Sequence, residues 1–373
     1  MLGAEIGGDL SCIGGTFSNE KGDALSADRI KVKGGVFLKD KFTATGQVRM
    51  LGAEIGGSLS CTGGTFSSEK GAALILDAAN IRNALFLRAG IFAGEVHLTS
   101  AVAATLVDDQ ACYQNATLIL DGFRYDRIVG STGAGARIGW LKRQRQSHIG
   151  GDFRPQPWEQ LIRVLRDMGH PAEAARIAIA KQEALRDARQ IGLRQSNPAL
   201  SGWRLSLDRG WTAFSNVLAR RLHWFYGWIA GYGHRPARIV WRMALVCALC
   251  SLAYYGGREY GLIGPSSPVI HLNPKLARCG TGGDPGAIPW TSPDCPVPPE
   301  YSTFQPFFYS LDVLIPFVDL HQEADWGPVV TNEAGRTLWR GRALRWILWF
   351  EIIFGWIASV MFVAIVGRLV DKD

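Results

Sequence analysis

An internal repeat of 49 residues constrains the first third of this chain more than any other feature of its sequence. Residues 2–8, LGAEIGG, return unchanged as residues 51–57, and residues 11–18, SCIGGTFS, return as SCTGGTFS at residues 60–67. Repeats of roughly 20 to 50 residues indicate solenoids or related arrays, in which each unit buries its apolar face only by stacking on its neighbours.

The apolar residues within these repeats recur every five to eight positions, whereas an amphipathic helix requires spacings of three and four. They are Ile6, Cys12, Phe17, Leu25, Ile30, Val36, Phe42, Val48, Ile55, Cys61 and Phe66. Short strands separated by corners fit this spacing, because the many glycines allow the backbone conformations that tight corners need. We therefore predict a β-solenoid over residues 1–130, with these side chains inward and Lys31, Lys33 and Glu54 in solvent.

The two ends of the repeat region lead to different expectations. The repeats begin at residue 2 without a capping segment, and bare terminal rungs expose strand edges. We expect the sequence to be an N-terminally shortened fragment, with a covering partner chain as the alternative. At the other end, residues 118–128 read as a last strand or cap. Cys12 and Cys61 occupy equivalent repeat positions, which predicts small core residues and not redox thiols.

Residues 131–156 are rich in glycine and basic residues, and we predict that they form a linker. Their run GAGARIG at residues 133–139 invites comparison with a dinucleotide-binding loop. That fingerprint requires a glycine at the position of Ile138 and a surrounding βαβ unit, so a linker is the better interpretation. Residues 157–195 follow with helical apolar spacing, interrupted by GHP at residues 169–171, and predict a helical hairpin.

The second half of the chain carries the signals of a membrane protein. Residues 203–234 combine apolar residues at helical spacing with arginines and predict an amphipathic interfacial helix. Residues 236–373 contain two apolar segments long enough to span a bilayer, at about residues 239–262 and 346–366. The basic residues outside them predict two spans with both termini cytoplasmic and an extracytoplasmic loop over residues 263–343.

That loop contains two notable features. Cys279 and Cys295 lie in it with no other cysteine, and an oxidising compartment would allow them to form a disulfide. Residues 304–319 form a third apolar segment that is too short to span, which predicts a re-entrant segment. We expect Glu351 of the second span to face this segment. The predicted polar membrane site comprises Tyr309, Ser310, Asp312, Asp319 and Glu351.

The Gly-rich rungs, the closing segment LDGFRYDRI at residues 120–128 and the later two-span region resemble bacterial proteins generically labelled membrane-associated oxidoreductases. The rungs are similar to those of pentapeptide-repeat and bactofilin solenoids. The resemblance implies a mixed fold in the bacterial inner membrane: an N-terminal β-solenoid, a central helical hairpin and a C-terminal all-α membrane region. The label implies an oxidoreductase, but the sequence shows no catalytic motif, cofactor-binding motif or metal-ligand spacing.

Three functions are compatible with this organisation. The first is a membrane-anchored scaffold or sensor whose solenoid binds a protein partner or a second copy of the chain. The second is an oligomeric pore that uses Asp312, Asp319 and Glu351, although the TVGYG filter of potassium channels is missing. The third is the oxidoreductase that the label implies. The net charge is +7, but the basic residues cluster beside apolar runs, so we expect the lipid bilayer and not nucleic acid as a partner.

Overall fold

The fold was examined in a computed structural model, in which two compact units, Met1–Trp224 and Phe225–Asp373, are each described by themselves. The described residues are 1–199, 201–282, 284, 286–295, 297–332 and 334–370. The predicted fold class is confirmed: a β-solenoid of about five turns is followed by helices and then by two long apolar helices.

Short parallel strands, β1 to β14 in chain order, build the solenoid. They are β1 Glu5–Ile6, β2 Leu10–Ser11, β3 Thr16–Ser26, β4 Lys31–Val32, β5 Val36–Phe37, β6 Thr43–Arg49, β7 Glu54–Ile55, β8 Leu59–Ser60, β9 Thr65–Ile75, β10 Asn80–Phe86, β11 Ile91–His97, β12 Val102–Val107, β13 Ala116–Ile119 and β14 Arg124–Val129. One sheet stacks β3, β6, β9, β11 and β13, and the other strands form the second sheet.

The strand register shows what the 49-residue repeat is. Equivalent positions of successive coils pair through Glu5, Lys31, Glu54, Asn80, Val102 and Arg124. These positions lie 22 to 26 residues apart, so the 49-residue repeat corresponds to two coils. Inside the solenoid, Phe17, Phe42, Phe66 and Phe92 form a stack with ring centroids 5.0–5.6 Å apart.

The predicted division of side chains into inward-facing and solvent-facing positions is confirmed. Ile30, Val36, Ile55 and Phe66 are all at most 2% exposed, whereas Lys31, Lys33 and Glu54 are exposed. Cys61 is fully buried, and burial raises the pKa of its thiol. A neutral thiol in an apolar core behaves as a small apolar side chain, in agreement with the prediction for this position.

At one corner that recurs from coil to coil, the backbone enters the left-handed region. The corner residues are Gly3, Arg29, Gly52, Ala78, Ser100 and Gly122, with φ between 54° and 76°. Glycine adopts this conformation without steric strain, but a residue with a Cβ atom does so at a cost of about 1–2 kcal/mol. Three of the six corners therefore carry a local strain that the stacked coils overcome.

Residues 131–156 differ from the predicted linker. They contain α1 (Ala134–Lys142) and α2 (Gln146–Ile149). Arg137 of α1 is fully buried and donates two hydrogen bonds to Asp108, at 2.8 and 2.7 Å. The segment folds because this arginine has a buried carboxylate as its partner, which composition alone does not reveal.

The glycine run at residues 133–139 lies at the start of α1, which follows strand β14 after four residues. The first helical amide, that of Ala134, donates to Glu173 Oε2 at 2.7 Å. A carboxylate of the chain therefore occupies the end of the helix at which a phosphate would bind.

The helical hairpin consists of α3 (Gln156–Asp167) and α4 (Pro171–Asp187). Gln156 accepts a hydrogen bond from the amide of Gly122 at 2.8 Å and donates to the carbonyl of Phe123 at 3.1 Å. One helical turn later, Gln160 donates to the carbonyl of Tyr125 at 2.6 Å. The side-chain amides of these two glutamines form hydrogen bonds with backbone groups of the last coil. Helix α3 therefore covers the strand edge at this end of the solenoid, which would otherwise be open.

The remaining elements follow α5 (Gly202–Ala230). They are α6 Pro236–Glu259, β15 Ile263–Pro265, α7 Pro268–His271, β16 Cys279–Gly280, β17 Ile288–Pro289, α8 Pro306–Leu314, α9 Gln322–Asp325, β18 Trp326–Pro328 and α10 Trp339–Val370. By length and composition, α6 and α10 could cross a membrane, and only 22% and 33% of their apolar windows are buried. The core helix of a soluble protein is mostly buried, so this exposure favours a lipid environment.

Candidate functional site

The C-terminal unit contains a buried polar cluster where α6, α8 and α10 meet. Its centre is Glu351 of α10, whose side chain is completely buried. The hydroxyl of Tyr254 from α6 donates to Glu351 Oε2 at 2.8 Å, and the hydroxyl of Ser310 from α8 donates to Oε1. The cluster therefore joins three separate helices through one carboxyl group, and no described basic residue forms an ion pair with it.

Close packing fixes α8 beside this cluster. Tyr309 is fully buried, and its ring meets that of Tyr254 edge to face at a centroid distance of 4.7 Å. At the end of α8, the carbonyl oxygen of Leu314 lies against Gly355 of α10, so close that an added Cβ would approach it to 2.0 Å. A glycine at position 355 is needed for this backbone contact.

The other two predicted site residues, Asp312 and Asp319, form hydrogen bonds with the backbone of the segment that follows α8. Asp312 is nearly buried and accepts hydrogen bonds from the amides of Leu320 and Glu323, at 2.6 and 2.9 Å. Asp319 is exposed and accepts from the amide of His321 at 3.0 Å. Both oxygens of Asp312 are thus used within the chain, and neither aspartate contacts Glu351.

A cavity of about 500 Å³ lies beside this connection. Asp312, Asp319 and Glu323 line it together with apolar residues of α10. Burial and the nearby carboxylate of Asp312 raise the pKa of Glu323. Among the described residues, no group of three or more His, Cys, Asp or Glu side chains could hold a metal ion.

Tyr254 is the member of the cluster that the sequence analysis missed. A depth argument could have narrowed the search, since Glu351 lies five residues inside the second predicted span and Tyr254 lies eight residues inside the end of the first, at residue 262. In two antiparallel helices, similar distances from the same side place residues at similar levels.

The loop between α6 and α10 contains the disulfide that was expected in this region. Cys279 and Cys295 are bonded, with Cα atoms 5.8 Å apart and both side chains nearly buried. The bond closes a segment in which β16 pairs with β17, and β15 pairs with β18 farther out. It is a structural bond within this loop.

The first unit offers a different kind of site, a shallow groove of about 770 Å³ on the outer surface of the solenoid. Its charged and polar lining residues are Glu5, Lys31, Lys33, Glu54, Asn80 and Arg82. Glu5, Lys31 and Glu54 occupy the same register position in successive coils, so charges of alternating sign run up this face. The coil spacing fixes their positions, which makes the groove a rigid surface.

These observations agree with the architecture that the family resemblance implied, a β-solenoid followed by two apolar helices. Two polar sites stand out among the described residues: a hydrogen-bonded cluster around Glu351 and a charged surface groove on the solenoid. No family model, no curated protein and no solved structure matches the chain.

Proposed function

We propose that the chain is a membrane-anchored scaffold whose β-solenoid binds a second copy or a protein partner. The observation that carries the proposal is the combination of a rigid repeat surface with two apolar helices that leave most of their windows unburied. A repeat surface presents side chains at fixed spacings, which suits recognition of another protein. The apolar helices α6 and α10 supply the anchor.

The groove on the outer surface of the solenoid is the binding surface in this proposal. Lys33 and Arg82 are its exposed basic residues with no ion-pair partner among the described residues. Charged residues at the rim of an interface set partner choice and association rate more than affinity. Reversal of both charges should therefore weaken complex formation while the fold is retained, because exposed substitutions of this kind change stability little.

The test compares K33E/R82E with the matched control K21E/K41E, which reverses two exposed lysines away from the groove. The full chain is extracted from membranes in mild detergent, cross-linked and sized. We expect a cross-linked complex for the wild type and the control, and a smaller amount of it for K33E/R82E. A wild-type chain that remains monomeric, or equal complex formation by all three, would contradict the scaffold proposal.

A pore is the second candidate, and one observation favours it. The cavity beside α8 is lined by Asp312, Asp319 and Glu323, and rings of carboxylates attract cations in channels. The test is cation flux through the purified chain in liposomes, with D319N as the variant because Asp319 is exposed and contributes little to packing. Cation flux through the wild type that is lowered in D319N would support a pore. A wild-type chain that passes no cations would reject the pore and retain the scaffold proposal.

A further inference from the structure

The helix α5 exposes a continuous apolar face. Its members recur every three or four residues and are each 44–68% exposed. They are Trp203, Leu207, Trp211, Phe214, Leu218 and Leu222. Residues at this spacing lie on one side of a helix, and the stripe extends over roughly 28 Å at 1.5 Å per residue. Exposed apolar patches of this size mark surfaces that bind a membrane or another protein.

The opposite face of α5 is polar and packed. Asp208 accepts a hydrogen bond from the amide of Asn197 at 2.8 Å, and Thr212 is buried. Asn216 accepts from the amide of Arg194 at 3.1 Å and donates to its carbonyl at 2.9 Å. The helix thus packs its polar face against the preceding segment and leaves its apolar face uncovered.

This arrangement reverses the pattern of a helix on a water-soluble protein, which buries the apolar face and exposes the polar one. Rotation of α5 to bury its apolar face would break the specific hydrogen bonds that already fix its polar side. An apolar medium beside the exposed face removes the unfavourable contact of these side chains with water.

The charges on α5 indicate which apolar medium this is. The helix carries four arginines, Arg204, Arg209, Arg220 and Arg221, and a single acid, Asp208, whose carboxylate is already used. The guanidinium of Arg204 lies 5.5 Å from the ring centroid of Trp203. Tryptophan and arginine together are typical of the headgroup region, where the ring lies at the boundary and the cation meets lipid phosphate.

We propose that the apolar face of α5 binds the surface of an anionic lipid bilayer. The helix lies parallel to the membrane in the headgroup region, with its apolar side chains toward the acyl chains and its arginines at the lipid phosphates. This contact is separate from the solenoid surface of the scaffold proposal. It also differs from the anchor formed by α6 and α10, since it depends on lipid charge.

The first experiment measures depth. The full chain is reconstituted in lipid nanodiscs containing anionic lipid, with a nitroxide label introduced at Phe214 or, as a control, at Ala213, which is exposed outside the apolar stripe. We expect the label at Phe214 to collide with oxygen more than with a water-soluble nickel complex, and the label at Ala213 to show the reverse. Equal exposure of both labels to nickel would overturn the proposal. Protection of the Phe214 label from both reagents would overturn it too, because a protein would then cover this face.

The second experiment tests the lipid charge with R204Q/R221Q and the control K21Q/K41Q. In anionic discs, we expect the ratio of bilayer-bound to free label at Phe214 to fall about 30-fold in R204Q/R221Q, as roughly fivefold per arginine predicts. The control should keep the wild-type ratio, and in neutral discs the variant and the wild type should be alike. The same ratio in neutral and anionic discs would refute the anionic surface as the partner. Helical content by circular dichroism verifies that α5 is intact.

Discussion

At the scale of single residues, the buried pair Arg137–Asp108 is a position in the first unit at which the loss of one partner should be costly. Both side chains are completely buried, and Tyr113 donates a further hydrogen bond to Asp108 at 3.2 Å. Removing the guanidinium leaves a buried carboxylate without a counter-ion. We therefore expect R137A to lower the free energy of unfolding by about 3–5 kcal/mol.

The measurement is thermal or denaturant unfolding of the solubilised chain, followed by far-UV circular dichroism. The matched control is R145A, since Arg145 pairs with Glu95 at 2.8 Å but is half exposed. Exposed pairs contribute about 0–1 kcal/mol, so this variant should unfold close to the wild type. Similar losses in R137A and R145A would contradict the argument from burial of the Arg137–Asp108 pair.

His97 gives the solenoid a pH-dependent contribution to stability. Asp77, at 3.7 Å, and Glu95, at 2.9 Å, raise the pKa of His97 above its usual value, and partial burial opposes them. The stabilisation is complete below the unfolded pKa of histidine and is lost as pH rises through the higher folded pKa. Against the effect of burial, His97 lowers the pKa of Asp77, and Arg145 together with His97 lowers the pKa of Glu95, so the stabilisation from these carboxylates is lost only at acidic pH.

Because of these pKa shifts, His97 should stabilise the fold most in mildly acidic solution. We expect H97N to lower the melting temperature relative to the wild type at about pH 5.5, and the difference to shrink at about pH 8.5. The check is a pair of melting curves at each pH under constant ionic strength. A difference that is larger at the alkaline pH would have the wrong sign for this mechanism.

Glu351 gives a third residue-scale prediction. In E351Q the amide keeps hydrogen-bonding capacity toward Tyr254 and Ser310, so we expect stability within about 1 kcal/mol of the wild type. E351A leaves the buried hydroxyl of Tyr254 without its partner, whereas Ser310 keeps the carbonyl of Cys247 at 3.1 Å, so we expect a loss of about 1–3 kcal/mol. Melting of detergent-solubilised protein compares the two. Equal destabilisation by both variants would indicate that the charge itself is needed.

At the scale of secondary-structure elements, the corners of the solenoid allow a reciprocal test. Ala78 and Gly52 occupy equivalent corners with φ of 56° and 63°. We expect A78G to stabilise the chain by up to about 1 kcal/mol, since it relieves left-handed strain but adds entropy to the unfolded state. G52A introduces the strain and should destabilise by about 1 kcal/mol. Chemical denaturation measures both, and changes of the same sign would refute the argument.

The solenoid and the apolar helices could be predicted because their signals are local and repeated. Spacings of five or six residues specify strands and corners, and uninterrupted apolar runs specify α6 and α10. The helices α1 and α2 within residues 131–156 could not be predicted this way. Arg137 finds its partner 29 residues earlier in the chain, and nothing in the surrounding glycines and arginines indicates that pairing. The composition of one segment cannot reveal a buried ion pair, because the partner lies in another segment.

The polar cluster of the second unit is an intermediate case. Ser310 and Glu351 stood out because each interrupts an apolar segment, and the structure brings them together. Asp312 and Asp319 interrupt the same region, yet they bind backbone amides of the following turn. Polarity within an apolar segment therefore identifies candidate residues, and their partners depend on the path of the chain after α8.

At the scale of the whole molecule, the proposal of a two-span anchor makes a prediction about the sides of the membrane. The basic residues before α6, together with Arg368 and Lys372 near the C-terminus, predict that both ends of this region face the cytoplasm. The loop between the helices then faces the opposite compartment, where the bond between Cys279 and Cys295 is stable against reduction. The solenoid, which contains unpaired cysteines, lies on the cytoplasmic side in this arrangement.

Accessibility of introduced cysteines tests this topology. Ser266 in the loop and Ser201 before α5 are both exposed, and each is replaced by cysteine in a background with Cys12, which is partly exposed, changed to serine. An impermeant thiol reagent should label S266C in intact cells and S201C only after permeabilisation. Retention of the chain in membranes after an alkaline wash provides the control that both variants are integral. Labelling of S201C but not S266C in intact cells would invert the topology, and labelling of both would contradict the two-span anchor, because one bilayer must separate these positions.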